Sequence, residues 1–267
     1  MATAEQSLLL GTSGYDYPEW KGVFYPDDLK RKDFLSYYST QFNALELNNT
    51  FYNMPTSERM LSFYERSEGR LSFSVKANRL LTHEVGPDWK LQYKLFCDAV
   101  GPLLEKSSLC SVLFQFPQSF HYTPENRIYL AKLIDEFKSF PVVVEFRHEE
   151  WIKESVLAGL NDRGASIALC DMPDLKYLPK FAPTLQTSPL FYLRLHGRNA
   201  TAWYTDTNTP NGSARYDYNY SDQELSQFVP VIQNAVLTGK KPVVFFNNHP
   251  NGNGAKNAKR LFELLKK

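Results

Sequence analysis

Polar and ionisable residues recur at the ends of short apolar runs in this chain. The clearest case is Val142-Val143-Val144-Glu145-Phe146-Arg147-His148, in which three β-branched residues precede an acid, a base and a histidine. The β-branched run predicts a buried strand. Because alternate residues of a strand share a face, Glu145 and Arg147 should point one way and Phe146 the other. A buried acid and base are costly unless they are paired or used, so this strand end is the first candidate for a site.

Other predicted strands follow the same order, with an apolar start and then polar residues two positions apart. These are residues 44–48, 73–78, 112–116 and 191–196, and strands near 166–171 and 242–247 also end in polar residues. The carboxyl ends of parallel strands meet at the active-site face of a β/α barrel. We therefore expect one shared site, with further candidates Glu46, Asn48, Lys76, Asn78, Gln115, Asp171, Arg194, His196, Asn247 and Asn248.

Acid/base chemistry is the first reaction type that these residues suggest. Glu145 is the preferred general acid or base, because burial and neighbouring charges can tune the pKa of a carboxylate. His148 and His196 each leave a strand beside an acid, which makes proton transfer plausible for both. The predicted catalytic set is Glu145, His148, His196, Glu46 and Asp171.

The cationic residues suggest that the substrate is a small anion or carries a phosphate. Arginine has the planar fork that suits a carboxylate or phosphate, and Lys76 could add a point charge or, if desolvated, act as a nucleophile. The contact role is favoured for Lys76. Gly252 and Gly254 precede the last helix, whose N-terminus could bind an anion, although a plain glycine turn is the alternative. The predicted substrate-binding set is Lys76, Arg147, Arg194, Gln115, Asn48, Asn247, Asn248, Gly252 and Gly254.

Two alternatives use the same residues. Three acids and three bases could balance each other as a structural ion network that binds no ligand. Alternatively, the nitrogen and oxygen donors of the acids and histidines, His249 included, could hold a divalent metal in a hydrolase, with nucleic acid as one substrate class. The sequence has no HxH, HExxH or paired-cysteine spacing, so we assign no metal ligand and predict no cofactor. A non-catalytic ligand-binding module is the third hypothesis.

Composition limits the class of protein. The chain has 267 residues and a net charge of +1, which gives no indication of a nucleic-acid surface, although a local basic cleft is compatible with it. Three cysteines without a paired spacing favour a reducing compartment. The start of the chain has no signal-like or membrane-spanning segment, so we expect a cytoplasmic protein that does not bind membranes. Nothing in the sequence indicates the oligomeric state.

The elements that must position these residues read as eight strands, most of them followed by a helix. This alternation predicts a parallel sheet, and eight units favour one (β/α)8 barrel of the TIM type over residues 1–267. The first strand is predicted over 7–10, ending in a tight loop at 11–14. Prolines at 173, 179, 183 and 189 argue against a long helix after strand 6. A long loop is expected over 197–220, then a helix that starts with the capping box at Ser221 and has an apolar stripe from Leu225 to Ile232.

These strand ends, taken together, resemble the YecE-like family, also called domain of unknown function 72. The matching stretches are 11–14, 24–26, 46–48, 50–52, 75–77, 113–115, 145–148 with Trp151, 171–173, 192–197 and 246–248 with 257–258. The resemblance covers nearly the whole chain and implies a TIM-type barrel, but it implies no reaction. Tyr15, Gln118 and His249 depart from the family pattern, in which Trp, Pro and Asp are common at these positions, and the last departure weakens any role of His249 in metal binding.

Overall fold

Eight parallel strands close into a barrel in the order in which they occur in the chain. The computed structural model describes residues 7–185, 187, 189–205 and 212–266. Every strand pairs with the next one and β8 pairs with β1, so the predicted (β/α)8 barrel of the TIM type is confirmed. The strands are β1 Leu9–Ser13, β2 Ala44–Leu47, β3 Ser72–Lys76, β4 Leu109–Gln115, β5 Val142–Glu145, β6 Ser166–Asp171, β7 Leu190–Leu195 and β8 Lys241–Phe246.

Helices surround the barrel on its outer side. The described part of the connection from β6 to β7 contains no α-helix, as its prolines predict. Within the described ranges, no helix combines the length and the apolar character needed to cross a membrane. The helices are α1 Phe34–Gln41, α2 Ser57–Arg66, α3 Trp89–Glu105, α4 Pro124–Glu136, α5 Glu154–Asp162, α6 Asp222–Ser226, α7 Val229–Leu237 and α8 Asn253–Leu265.

The connection after β7 differs from its prediction in one respect. The capping box is present, because Ser221 Oγ accepts the backbone N–H of Glu224 and the Glu224 carboxylate accepts that of Ser221. The single helix predicted from this cap is instead divided into α6 and α7, with Pro230 in the first turn of α7. Proline suits a first turn because its missing N–H has no partner there in any case. Residues 206–211 of the predicted long loop lie outside the described residues.

Strand β1 also differs from its prediction, since it continues through Ser13 where a loop was expected from Gly11 onward. Gly11 pairs with Ala44 of β2 and Phe245 of β8. A Cβ atom at position 11 would lie 1.9 Å from the carbonyl oxygen of Ala44 and 2.7 Å from the Tyr38 hydroxyl. The glycine therefore permits a close approach of neighbouring elements rather than a turn.

The strands carry two separate apolar layers, which follow from the alternation of side chains. Residues such as Phe73, Phe114 and Leu193 face the helices in the outer core. A second cluster that includes Val143 and Phe245 fills the inside of the barrel. The charged residues at the carboxyl ends of the strands lie above this inner cluster, so the barrel is a packed core with a polar mouth.

We predict that Gly11→Ala destabilises the chain by about 3 kcal/mol or more, because the new methyl group would clash with the backbone of β2. Urea unfolding followed by circular dichroism measures this. The matched control is Gly101→Ala in α3, where a Cβ would meet nothing within 4 Å. That control should stabilise the helix by about 0.5–1 kcal/mol. Equal unfolding midpoints for Gly11→Ala and the parent chain would show that the close approach does not require glycine.

Candidate active site

A buried arginine connects two carboxylates that come from different sides of the barrel. Arg194 of β7 donates from Nε and Nη2 to the two oxygens of Glu46, at 2.9 and 2.5 Å, and from Nη1 to Glu145 Oε2 at 2.5 Å. Glu46 lies in β2 and Glu145 in β5. The three side chains are at most 2% exposed. The ion bridge, as we call Glu46, Arg194 and Glu145, therefore joins three strands in the middle of the barrel.

A chain of hydroxyl groups supports the ion bridge from below. The Tyr192 hydroxyl donates to Glu46 Oε2 at 3.0 Å and lies 2.7 Å from Ser74 Oγ, which accepts from Ser111 Oγ at 2.7 Å. Burial raises the pKa of Tyr192 well above its usual value, so the phenol stays a donor. These three hydroxyl residues are absent from the site predicted from the sequence. Their positions two or four residues before the strand-end candidates, on the same strand faces, were the signal that could have found them.

A second group of polar residues lies on the ion bridge and reaches the mouth. Arg147 Nε donates to Glu145 Oε1, and Arg147 Nη2 lies 3.3 Å from His196 Nε2. His196 Nδ1 is 2.9 Å from the side-chain nitrogen of Asn247. The Arg147 guanidinium also lies 5.7 Å from the centre of the buried Trp203 ring. Arg147 keeps 11% of its side chain exposed, whereas His196 is fully buried.

The charges of this group decide which side chains can move protons. Burial alone would raise the pKa of Glu145, but Arg147, Arg194 and His196 together hold it well below its usual value. Burial and the neighbouring Arg147 lower the pKa of His196 to about 3. Glu145 is then a weak base and His196 is neutral near pH 7. The geometry therefore favours positioning roles for both over the proton transfer that was predicted.

Lys76 differs from the other cations of the site. Its Nζ donates to Gln115 Oε1 at 2.7 Å and lies 4.2 Å from the centre of the Phe51 ring. In the described part of the chain, no carboxylate oxygen lies within 4 Å of this amine. The two carboxylates of the ion bridge are paired with arginines instead. Burial, followed by repulsion from Arg194, lowers the pKa of Lys76 to about 7. The side chains of Lys76 and Gln115 remain partly accessible at the mouth.

The structure thus brings together eight of the residues that were predicted to converge. We call this group the cup. His196 and Asn247, which follow β7 and β8, form one side of it. Asn48 follows β2 and is half-buried, and its side-chain oxygen is buried without a hydrogen-bond partner among the described residues. The cup consists of Glu46, Lys76, Gln115, Glu145, Arg147, Arg194, His196 and Asn247.

Asp171 does not join the cup, which corrects the prediction. Its carboxylate accepts a bidentate interaction from Arg198, with its shortest contact at 2.8 Å, and a hydrogen bond from the Tyr220 hydroxyl at 2.6 Å. Cys170 faces the barrel interior instead, close to Glu145. Because neighbours on a strand face opposite sides, Asp171 points to the outer layer.

His148 is also absent from the cup. It follows Phe146 on the outward side, and its Nδ1 accepts the backbone N–H of Glu150 at 3.3 Å. Its ring lies 4.7 Å from that of His121 and 5.6 Å from that of Tyr177. Proton transfer between His148 and Glu145 is therefore not supported by their placement.

The segment after β8 serves packing rather than an open anion site. Asn248 donates to the backbone oxygen of Tyr218 and to Asn257 Oδ1, both at 2.8 Å. A Cβ at Gly252 would meet Val23 at 2.6 Å, and one at Gly254 would meet the backbone oxygen of Asn248 at 3.5 Å. Near the N-terminus of α8, the Asp217 carboxylate accepts hydrogen bonds from Asn251 and Asn253, at 3.1 and 3.4 Å. Negative charge is thus already present at this helix end.

Asn78 also serves packing, because its side chain binds the backbone of residues 50 and 80.

Among the residues that the structure describes, two groups of side chains have donor atoms close enough together to hold a metal ion. In the first, formed by Glu145, Cys170 and His196, both oxygens of Glu145 already accept from arginines. Burial also raises the pKa of the Cys170 thiol well above its usual value. This group does not fit a divalent cation, because the adjacent positive charges oppose it. The second group, formed by His121, His148 and Glu150, offers two imidazoles and a carboxylate, which suit zinc.

Comparison with known proteins identifies the family. The family described as "protein of unknown function DUF72" matches residues 9–267. The chain belongs to the DUF72 family. The resemblance to the YecE-like proteins is therefore confirmed over almost the whole sequence. The description of the family names no reaction.

Relatives of this DUF72 chain agree with the fold. It is 28% identical over 253 residues to the UPF0759 protein YunF of Bacillus subtilis, covering 90% of this chain and 89% of that one. A crystal structure of a DUF72 family protein from Thermotoga maritima shares 34% identity and has a TM-score of 0.88, covering 97% of this chain and 99% of that one. A xylose isomerase-like TIM barrel protein from Mycobacterium smegmatis, solved in complex with magnesium, shares 14% identity with a TM-score of 0.53 and covers 99% and 98%. That last likeness shows the fold alone.

We predict that His196 makes the stability of the chain depend on pH. Its pKa of about 3 in the folded state lies below the unfolded value of about 6.5, so the unfolded state binds the proton first as the pH falls. The contribution of the neutral His196 imidazole to the free energy of unfolding is fully present above pH 6.5 and is lost as the pH falls toward 3. Between pH 7 and pH 5 this loss should be on the order of 2 kcal/mol.

Urea unfolding of the parent and of His196→Asn at both pH values measures the difference. The variant should lose less stability on acidification than the parent. His121→Asn, at an exposed histidine, is the matched control and should behave as the parent. Identical pH dependence of the parent and His196→Asn would contradict the buried, neutral state of this histidine.

Proposed function

We propose that this DUF72 protein is an enzyme that uses acid/base chemistry on a small anionic substrate, such as a carboxylate or a phosphate ester, at the C-terminal face of the barrel. The observation that supports this is the charge balance of the cup. With Asp171 paired to Arg198, the cup holds two carboxylates against two guanidinium groups and the amine of Lys76. Among the described residues, one positive charge is in excess whenever Lys76 is protonated. Such a site attracts an anion.

Accessibility divides the cup into two parts with different roles. Arg194 is 2% exposed and serves two carboxylates, so it has no surface to offer a ligand. Arg147 and Lys76 are the cations of the cup that reach the mouth. The carboxylate of Glu145 fixes the plane of the Arg147 guanidinium. Its Nη1 and Nη2 atoms lie 3.5 Å from Met172 Sδ and 3.3 Å from His196 Nε2, and an oxyanion would meet the 11% of the side chain that stays exposed. Glu46, Glu145 and Arg194 are then positioning residues.

Lys76 is the group that can exchange a proton near neutral pH. A pKa of about 7 means that the amine is present in both protonation states, which is the condition for an efficient acid or base. Lys76 thus takes the acid/base role that was predicted for Glu145. The Gln115 side chain, at 2.7 Å, holds the amine at the end of β3.

We predict that inorganic phosphate binds the full chain and that both Lys76→Met and Arg147→Gln weaken this binding about tenfold or more, which corresponds to about 1.4 kcal/mol. Each variant removes one of the accessible charges. Isothermal titration calorimetry at low ionic strength measures the affinity. Lys241→Met is the matched control, because this exposed lysine begins β8 at the opposite end of the barrel. Unchanged phosphate affinity in both cup variants would contradict the proposal.

A non-catalytic binding module would show the same anion affinity. The two hypotheses differ in what Lys76→Arg does, since arginine keeps the positive charge but cannot exchange a proton near pH 7. If the protein is an enzyme, Lys76→Arg should keep most of the phosphate affinity but lose the turnover of any substrate that is identified. A binding module would keep both its ligand and its cellular phenotype.

A metal-dependent hydrolase is the second candidate, and His121, His148 and Glu150 favour it. Glu150 Oε2 lies 3.2 Å from His121 Nδ1 and 3.8 Å from His148 Nδ1, close to the spacing of ligands around a tetrahedral zinc ion, and His148 Nδ1 would exchange its hydrogen bond from the Glu150 backbone N–H for the metal. The net charge of +1 does not favour nucleic acid as its substrate. We predict that, if this site is used, the purified chain retains stoichiometric zinc after dialysis and His148→Gln loses it. His83→Gln is the control, and elemental analysis without zinc in the parent would rule this candidate out.

A further inference from the structure

We infer that Lys76 forms an imine with the carbonyl group of a small aldehyde or 2-oxo acid, whose acid group contacts Arg147. This inference rests on the proposed function and narrows it, because it names the substrate as a carbonyl compound with a nearby negative charge. It also gives Lys76 a covalent role, in addition to the proton transfer and charge recognition argued above.

The surroundings of the amine suit a nucleophile better than a permanent cation. Lys76 has a neutral hydrogen-bond acceptor, Gln115, and an aromatic face, Phe51, as its nearest partners. Within the described ranges, neither carboxylate of the ion bridge lies within salt-bridge distance of the amine. Losing the proton from Lys76 therefore leaves no buried carboxylate unpaired. A lysine that made a salt bridge would lose that partner on deprotonation.

Electrostatic repulsion adds to this effect. Burial, Arg194 and Arg147 disfavour the protonated amine more than Glu145 and Glu46 favour it, and the resulting pKa of about 7 leaves roughly half of the side chains neutral at pH 7. The neutral amine is the form that attacks a carbonyl group. Lysines beside other cations in desolvated sites are activated in the same manner.

The chemical steps balance without a further reactant. The lone pair of Nζ forms a bond to the carbonyl carbon, and the π electrons of the C=O bond move to its oxygen. After proton transfer from nitrogen to oxygen, the hydroxyl group of the carbinolamine takes up one proton from water and leaves as water, and the nitrogen lone pair forms the C=N bond of a protonated imine. The protonated imine then occupies the place of the ammonium group. Gln115 Oε1 can accept its N–H, and the Phe51 ring can stabilise its positive charge.

Arg147 adds specificity for an acid group. It follows the end of β5, two strands from β3, and its guanidinium is fixed by Glu145 at the mouth. Two strand spacings are about 10 Å between backbones, which the two long side chains bridge toward the centre of the mouth. A carboxylate next to the carbonyl carbon is therefore recognised while the amine attacks.

Borohydride trapping on the full chain tests the inference. Glyoxylate and sodium borohydride are added at pH 7, and the peptides are mapped by mass spectrometry. Reduction of the imine would leave a carboxymethyl group on Lys76. We expect Lys76 to be labelled about tenfold or more faster than exposed lysines such as Lys30 and Lys241, because a much larger fraction of its amine is neutral. The mapping needs no variant, so it is independent of whether substitutions fold.

Variants and a second aldehyde separate this inference from the proposed function. Lys76→Arg should remove the fast label and leave the slow labelling of other lysines. Arg147→Gln should slow labelling by glyoxylate more than labelling by acetaldehyde, which carries no acid. If both aldehydes label Lys76 quickly and Arg147→Gln changes neither labelling rate, the imine is supported and the anionic substrate is contradicted. Lys76 labelled no faster than exposed lysines by either aldehyde would overturn the imine, whereas phosphate binding would still decide the proposed function.

Discussion

The ion bridge of Glu46, Arg194 and Glu145 is the interaction on which the rest of the site depends. Three charged groups in a barrel interior are costly to desolvate, and they are tolerated only when each is paired with good geometry. Arg194 meets this condition with three hydrogen bonds to two carboxylates. Removing one member would leave an uncompensated buried charge, at a cost of about 3–5 kcal/mol. The ends of β2, β5 and β7 are thus held in fixed relative positions.

The side chains of the cup form layers around the ion bridge, and their accessibility to a ligand increases toward the mouth. The Tyr192 hydroxyl donates to Glu46 from below, and the ion bridge is buried from solvent. Arg147 donates to Glu145 and keeps 11% of its side chain exposed. Each layer orients the one above it. Charged groups that only position others can be buried completely, because they are never released to a ligand. The groups that meet a ligand must give up some burial, as Lys76 and Arg147 do.

Much of this arrangement could be predicted from the sequence, and the errors have a common cause. The eight strands, most of them followed by a helix, and the convergence of Lys76, Glu145 and His196 followed from apolar runs that end in polar residues. Asp171 and His148 were included only because they end or follow strands. Applying the alternation of side chains throughout would have placed both on the outer layer. Gly11 was misread because a glycine in a strand and one in a turn look the same in a sequence without its neighbours.

Other features could not be predicted because they depend on pairings between distant residues. The partner of Asp171 is Arg198, which lies in a connection whose path the sequence does not specify. That single pairing changes the charge of the cup from balanced to positive. The lowered pKa of Lys76 could not be predicted either, because it follows first from burial and then from repulsion by Arg194, which the attraction of Glu145 and Glu46 offsets only in part.

An amine in this position is difficult to explain by stability alone. Methionine or leucine at position 76 would fill a similar volume next to Phe51 without the desolvation penalty of a cation. The ion bridge does not need the amine, because its carboxylates are already satisfied. Residues that break the local rules for stability, with no compensating structural partner, are expected at functional sites. Lys76 meets this description better than the members of the ion bridge, because Glu46, Glu145 and Arg194 each have an oppositely charged partner, whereas the nearest partners of Lys76 are the neutral Gln115 and the Phe51 ring.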